Sequence, residues 1–440
     1  MGNNGGLVIA APHSGSGKTT VTVGIVAALR ARGLSVGVAK CGPDYIDPKF
    51  LEAAAGRPCA TLDPWAMSTG TLSRRYATLA RDVDVVVVEG AMGLFDGAAS
   101  GGGATADLAS DLGLPVVLLV DASRQSQSIA ALVHGFSTFR DDVEVAGAIA
   151  TRIGSARHGE IVAQSLGALP VAYLGALPHV SGLKVASRHL GLVQASEHNQ
   201  IEDLIAEARR AVSHGVDLEQ LMRIAGGIRQ MSDGRPMCDD GKALMPIGQR
   251  IALAQDVAFG FTYPHVLDDW RRAGAEILPF SPLNDDAPHS TCDAIFLPGG
   301  YPELYAARLS TAHCFAAGVR AAAARRAAIY GECGGYMVLG KGLVDSDGQF
   351  HRMLGLLGHT TTFEKPVRHL GYRIMKTCGD VPLPAQLRGH EFHYSTLLEP
   401  GKDLPLFSVC DSNGASIGYT GGRRGSVFGS YLHIVNAWID

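Results

Sequence analysis

The sequence predicts an α/β protein with two α/β domains in one chain, and three observations carry that reading. Short, continuously apolar or β-branched runs alternate with amphipathic helical stretches through the first half. The first of these runs feeds a glycine-rich loop and then a helix. Past a polar stretch near residue 240 the alternation restarts, and it reaches a second strand–turn–helix unit built around a cysteine.

In chain order, Leu7–Ala11, Ser35–Ala39, Val83–Val88, Pro115–Val120 and Val145–Ala150 are the expected strands of the first half. They are apolar throughout rather than alternating, as strands of a parallel sheet covered on both faces are. Thr19–Arg32 and Ser126–Phe139 are helical stretches between them, so the sheet is expected to be doubly wound. From Ile201 to Ile224 the pattern is helical and charged. The stretch that follows, rich in Gly, Asp, Arg and Pro, reads as a linker. A second α/β pattern starts at Ile251 and runs through Glu276–Pro279, Ala294–Leu297 and Ala327–Tyr330. The last third has more turns and reads as antiparallel strands. The expected layout is a domain over residues 1–225, a linker over 226–249 and a domain over 250–440.

Composition bounds the function. A chain of 440 residues suggests two or three domains. Its 55 glycines have no triplet period, which excludes collagen, and 46% hydrophobic residues exclude a disordered chain. No apolar run approaches the roughly 20 residues of a membrane helix, and the N-terminus shows no basic segment before an apolar core. Eight scattered cysteines without a CxxC pair argue against a disulfide framework or a zinc ribbon and fit a reduced cytoplasm. With 38 basic and 42 acidic residues, neither nucleic acid nor membrane is an expected partner. An anionic ligand has to be held by local groups.

Such groups follow the first strand. Pro12–Thr20 has the glycine spacing of a P-loop, in which backbone N–H groups close around phosphates at a helix N-terminus. Ser14, Gly15, Ser16, Gly17, Lys18, Thr19 and Thr20 are the candidate ATP-binding residues. Lys18 would reach the β- and γ-phosphates and the Thr19 hydroxyl a Mg²⁺ ion. Pro12 stands where the strict pattern has glycine, and a plain glycine turn before a helix is the rival reading. Glu89 ends the strand Val83–Val88, where parallel sheets bind ligands, and is a second metal candidate. Asp96 lies further along the same glycine-rich loop, as a substrate contact or a solvated acid. Lys40–Pro48 follows another strand and brings Lys40, Asp44 and Asp47 near the phosphates, as a metal and substrate loop or a surface turn. Lys40 joins the ATP-binding set and Asp44 the metal set.

In the second half, Gly331–Gly335 has the G-x-nucleophile-x-G form of a nucleophile elbow around Cys333, with a helix N-terminus behind the sulfur. A buried structural thiol is the alternative and suits the other seven cysteines. Leu297–Glu303 also follows a strand and could aim an N–H at an oxyanion. The Gly300 and Gly334 amides are the candidate donors, and His433 is the candidate base.

Taken together, these segments resemble the cobyrinic acid or hydrogenobyrinic acid a,c-diamide synthases of corrin (vitamin B12) biosynthesis over almost the whole chain. The carriers are Ser14–Thr20, Lys40–Pro48, Glu89–Gly97, Ser187–Leu192, Gly331–Gly335 and Gly389–Ser395. The Gly-Pro-Asp-Tyr-Ile-Asp loop and the Gly-His-Glu-Phe-His-Tyr-Ser segment are the most specific. The resemblance implies a dethiobiotin-synthetase-like P-loop domain fused to a class I glutamine amidotransferase domain. It implies that Cys333 attacks glutamine with His433 as base, and that ATP with Mg²⁺ on Thr19 and Glu89 phosphorylates two corrinoid carboxylates. Asp44, Asp47 and Asp96 match loop acids associated with substrate activation. The implied partners are a corrinoid, L-glutamine and ATP. The oligomeric state is left open, a homodimer included.

Two departures stand out. The glutamate that usually follows the catalytic histidine by two residues is Val435 here, leaving a Cys–His dyad with Glu391 as a candidate to orient His433. The Asn-Arg pair that often reads adenine is Thr151–Arg152. Three rivals stay open: a nickel or metal-free sirohydrochlorin as substrate, a cobyric acid synthase-like activity, and a P-loop switch protein with a degenerate amidotransferase domain. His13 stands where switch ATPases carry a signature lysine, which weakens the last.

Overall fold

A computed structural model describes residues 5–178, 201–226 and 243–438, in two compact units, Met1–Asp240 and Gly241–Asp440. The Ser187–Leu192 segment and residues 227–242 of the expected linker lie outside the described residues. Residues 243–249 are not free linker: Leu244 and Ile247 are buried and lead straight into a strand.

Among the described residues, the first unit is a seven-stranded sheet. Its strands are β1 (Gly5–Ala10), β2 (Val36–Cys41), β3 (Cys59–Leu62), β4 (Val85–Glu89), β5 (Val116–Asp121), β6 (Val145–Ile153) and β7 (Ala172–Pro178). Their order is β3-β2-β4-β1-β5-β6-β7, and every pairing is parallel. The four valines of β4 are wholly buried, about 2 kcal/mol of burial each. Helix α1 (Lys18–Ala31) covers one face together with helices Ile201–Gly215 and Leu218–Gly226. β4 sits between β2 and β1, so the C-terminal ends that carry Lys40, Glu89 and the P-loop are neighbours. The five strands expected from sequence are present; β3 and β7 are additions.

The second unit holds a six-stranded sheet. Four of its strands, β8 (Arg250–Ala254), β9 (Glu276–Phe280), β10 (Ala294–Leu297) and β11 (Ala328–Glu332), are parallel. Val427–Ser430 pairs parallel with β11, and Gly422–Arg424 closes the edge antiparallel. The antiparallel character expected of the last third appears in a separate five-stranded sheet, in which Gln386–His393 pairs with His369–Thr377 and with Leu432–Ala437. That pairing sets His390 opposite His433.

Candidate active sites

The P-loop forms where β1 meets α1. Gly15 and Gly17 take φ of 79° and 87°, a region that favours glycine. The N–H groups of residues 15–20 donate to no backbone carbonyl, so a row of donors is left at the start of α1. Ser14 and Gly15 are exposed, Thr20 is half-buried in the first helical turn, and the Ser16 hydroxyl donates to the His13 carbonyl at 2.8 Å. The Lys18 ammonium donates to the Met92 carbonyl at 2.6 Å. Burial lowers its pKa, with Lys40 acting in the same direction.

One buried cation sits among three carboxylates beside this loop. Parallel register pairs Lys40 with Glu89 across β2 and β4. Lys40 Nζ lies 2.9 Å from Glu89, 2.6 Å from Asp47 and 3.6 Å from Asp44. Burial works against the ammonium, yet Glu89, Asp47 and Asp44 hold its pKa well above the usual value. Burial pushes Glu89 up to about 7 against the pull of Lys40, and raises Asp44 to about 6 with help from Asp47. Asp47 is held low by Lys40 in spite of burial. The charge of Lys40 thus faces carboxylates, because register buries it against Glu89.

Thr19 Oγ1 donates to Glu89 Oε1 at 2.8 Å, whereas Glu89 Oε2 is buried without a hydrogen-bond partner. The three carboxylates around Lys40, the orphaned oxygen of Glu89 and the threonine hydroxyl are hard oxygen donors suited to Mg²⁺. Asp44 Oδ1 accepts the Ile46 and Asp47 N–H groups, which starts helix α2 (Asp47–Ala55) and leaves its other oxygen toward Lys40. Asp96 is exposed and its Oδ2 accepts the Gly93 N–H at 2.9 Å, so it braces its own loop while supporting the charge of Lys18. The Thr151 hydroxyl faces the Ser16 and Val120 carbonyls, both at 3.4 Å, and Arg152 ties Asp121 to the Gly15 carbonyl. Thr151 is buried, whereas Arg152 stays partly exposed at the edge of the loop.

In the second unit, β11 ends at Glu332 and the chain turns at Cys333, with φ 47° and ψ −105°. A non-glycine residue persists there only if its surroundings over-determine it, as at a nucleophile elbow. Gly335 makes the turn possible: a Cβ there would lie 1.8 Å from the Leu297 carbonyl oxygen. Its N–H donates to Pro298, but Gly300 and Gly334 give theirs to no backbone carbonyl. A Cβ on Gly334 would lie 3.1 Å from the Gly300 nitrogen, so these two amides are neighbours, as oxyanion donors must be.

His433 is buried next to the sulfur. Its ring stacks on His390 at 4.8 Å, and His390 Nε2 lies 2.7 Å from the Tyr263 hydroxyl. Its Cε1 edge faces Gly299, where a Cβ would be 2.6 Å away. Burial opposes its charge, but Cys333 and Glu332 outweigh burial and push its pKa up to about 9. That favours the imidazolium form of His433.

Glu391 does not orient His433. Its Oε2 takes Arg373 at 2.7–2.9 Å and its Oε1 lies 2.8 Å from His393 Nε2. Side chains alternate along a strand, and His390 rather than Glu391 stands on the His433 face. The carboxylate that faces His433 Nδ1 is Glu332, at 3.7 Å.

Known proteins match both halves of this arrangement. Residues 7–193 match the model of the CobQ/CobB/MinD/ParA nucleotide binding domain, and residues 250–437 that of the CobB/CobQ-like glutamine amidotransferase domain. The hydrogenobyrinate a,c-diamide synthase of Rhizobium meliloti (strain 1021) is 49% identical over 98% of this chain and 99% of its own length. Its counterpart in Sinorhizobium sp is 48% identical over 98% of each chain, and that of Mesorhizobium japonicum is 47% identical over the same shares. The chain belongs to the hydrogenobyrinate a,c-diamide synthase family. The resemblance drawn from the motifs is thereby established, along with a nucleotide-binding α/β domain joined to a glutamine amidotransferase domain. For this family member, sequence reading missed Glu332, His390 and Tyr263 at the amidotransferase site. The only local signal was that Glu332 fills the free position of the G-x-C-x-G elbow.

Proposed function

We propose that this protein amidates the a- and c-acetate carboxylates of hydrogenobyrinic acid, using ATP and glutamine. The observation that carries the proposal is the end-to-end 47–49% identity to synthases of that name. The two sites described above supply chemistry that fits it.

At the amidotransferase site, the Cys333 thiolate attacks the carboxamide carbon of glutamine, and the Gly300 and Gly334 N–H groups receive the developing oxyanion. His433 gives its proton to the departing ammonia, leaving a glutamyl thioester. It then takes a proton from the water that releases glutamate. At the P-loop site, the donor row of residues 15–20 and Lys18 hold the phosphates. A carboxylate is a poor electrophile, so the γ-phosphoryl group is first transferred to it with release of ADP. Ammonia then forms the C–N bond and phosphate leaves, once at each acetate. Asp44, Asp47 and Asp96 border this site and face the substrate. Thr19, Glu89 and Asp44 would hold a Mg²⁺ ion, which would supply charge neutralisation for the phosphates. Lys40 keeps Asp47 ionised for that purpose and opposes the burial that raises Glu89.

The test is a side-by-side assay of metal-free hydrogenobyrinic acid and its cobalt counterpart with ATP and glutamine, read by mass spectrometry. The expected result is stepwise conversion of two carboxyls to carboxamides on the metal-free macrocycle. Turnover of neither macrocycle by folded protein would refute the proposal.

A further inference from the structure

We infer that Glu332, the residue immediately before the nucleophile, orients His433 and so completes a Cys333–His433–Glu332 relay. This rests on the reading of Cys333 and His433 as the glutamine-cleaving pair. A neutral imidazole that serves as a base at one nitrogen must present its N–H elsewhere, and the partner of that N–H fixes the tautomer. The strand Leu432–Ala437 offers no acid for the task, because Val435 fills the position two residues on and is wholly buried.

Glu332 reaches the same nitrogen from the neighbouring strand end. Its Oε2 lies 3.7 Å from His433 Nδ1. Its Oε1 accepts the Tyr330 hydroxyl at 2.8 Å and the Ile434 N–H at 3.1 Å. Two donors therefore clamp one oxygen and aim the other at the imidazole. The Ile434 N–H belongs to the residue after His433, so the clamp is tied to the strand that carries the base. Glu332 is 5% exposed and His433 1% exposed, so water does little to screen the pair. Tightening of a 3.7 Å contact on substrate binding is ordinary for catalytic hydrogen bonds. The charged and titratable groups facing His433 are Cys333 and Glu332 from the elbow and His390 from the adjacent strand. Arg373 and Tyr263 act on His390 in turn.

Glu332 is thus a positioning residue, and Glu332→Gln tests it through glutamate release measured against pH. Loss of the carboxylate should lower kcat by about 10²-fold with KM for glutamine within about threefold. It should also move the alkaline limb, set by loss of the imidazolium proton, down by about one pH unit. A purely structural role would lower the yield of folded protein without moving that limb. Should the Gln variant not fold, Glu332→Asp serves: a lowered kcat with the limb near its original position supports the relay. Either variant with both kcat and the limb unchanged overturns it. Glutamate release that survives Cys333→Ala would instead defeat the underlying reading of the site.

Discussion

Adding a single methyl group at Gly299 should separate the two chemistries. A Cβ built there lies 2.6 Å from His433 Cε1 and 3.3 Å from the Cβ atoms of Cys333 and Phe261. Non-bonded carbons rest at about 3.5–4.0 Å, so the imidazole must withdraw by about 1 Å. Gly299 is not among the glycines with positive φ, so alanine adds bulk without backbone strain. A misplacement of about 1 Å at a catalytic group costs on the order of 10²-fold, or about 2.7 kcal/mol of barrier. Gly299→Ala should therefore release glutamate from glutamine about 100-fold more slowly, while amidation with ammonium salts continues. The assay is glutamate release and corrinoid amidation in parallel on protein of unaltered melting temperature. A glutaminase rate within about threefold of the parent would refute the placement of His433 against Gly299.

Glu89→Gln removes the carboxylate that Lys40 and Thr19 share. It should abolish amidation with glutamine and ammonium alike, and normal turnover in a magnesium titration would defeat the metal assignment. His359 bears on pH stability: it stacks on Tyr336 at 4.0 Å, and burial lowers its pKa to about 4. The folded state thus keeps it neutral while the unfolded chain binds its proton at the ordinary 6.5. Its contribution is full above about pH 6.5 and is lost as pH falls toward 4, at up to about 1.4 kcal/mol per unit. The melting temperature should fall over that window and fall less in His359→Gln; an equal fall in both proteins would contradict the assignment.

Sequence was most informative where chemistry is local. The P-loop and the cysteine elbow each place strand, glycines and helix within about a dozen residues, because the backbone geometry itself requires glycine there. Glu89 was legible because it ends a run of valines. What spacing could not convey was register and long-range pairing. Lys40 looks like a phosphate ligand in one dimension; only the β2–β4 register buries it against Glu89. Glu332 looks like an arbitrary filler residue, since Ile434, which clamps it, stands 102 residues away in sequence. Strand β3 carries little signal because it is four residues long, and β7 because it is only partly buried and interrupted by Gly175 at φ 126°. Glu391 suits His433 by residue type alone, but strand alternation turns it away and Arg373 takes its carboxylate.

The central claim is that one chain runs two separable reactions, and Cys333→Ala tests it most directly. Hydrogenobyrinic acid, ATP and magnesium are supplied with either glutamine or an ammonium salt, and the amidated products are counted by mass. The expected result is loss of glutamine-dependent amidation with ammonium-dependent amidation retained. Loss of both in a folded variant, or persistence of glutamine use, would contradict the two-site account.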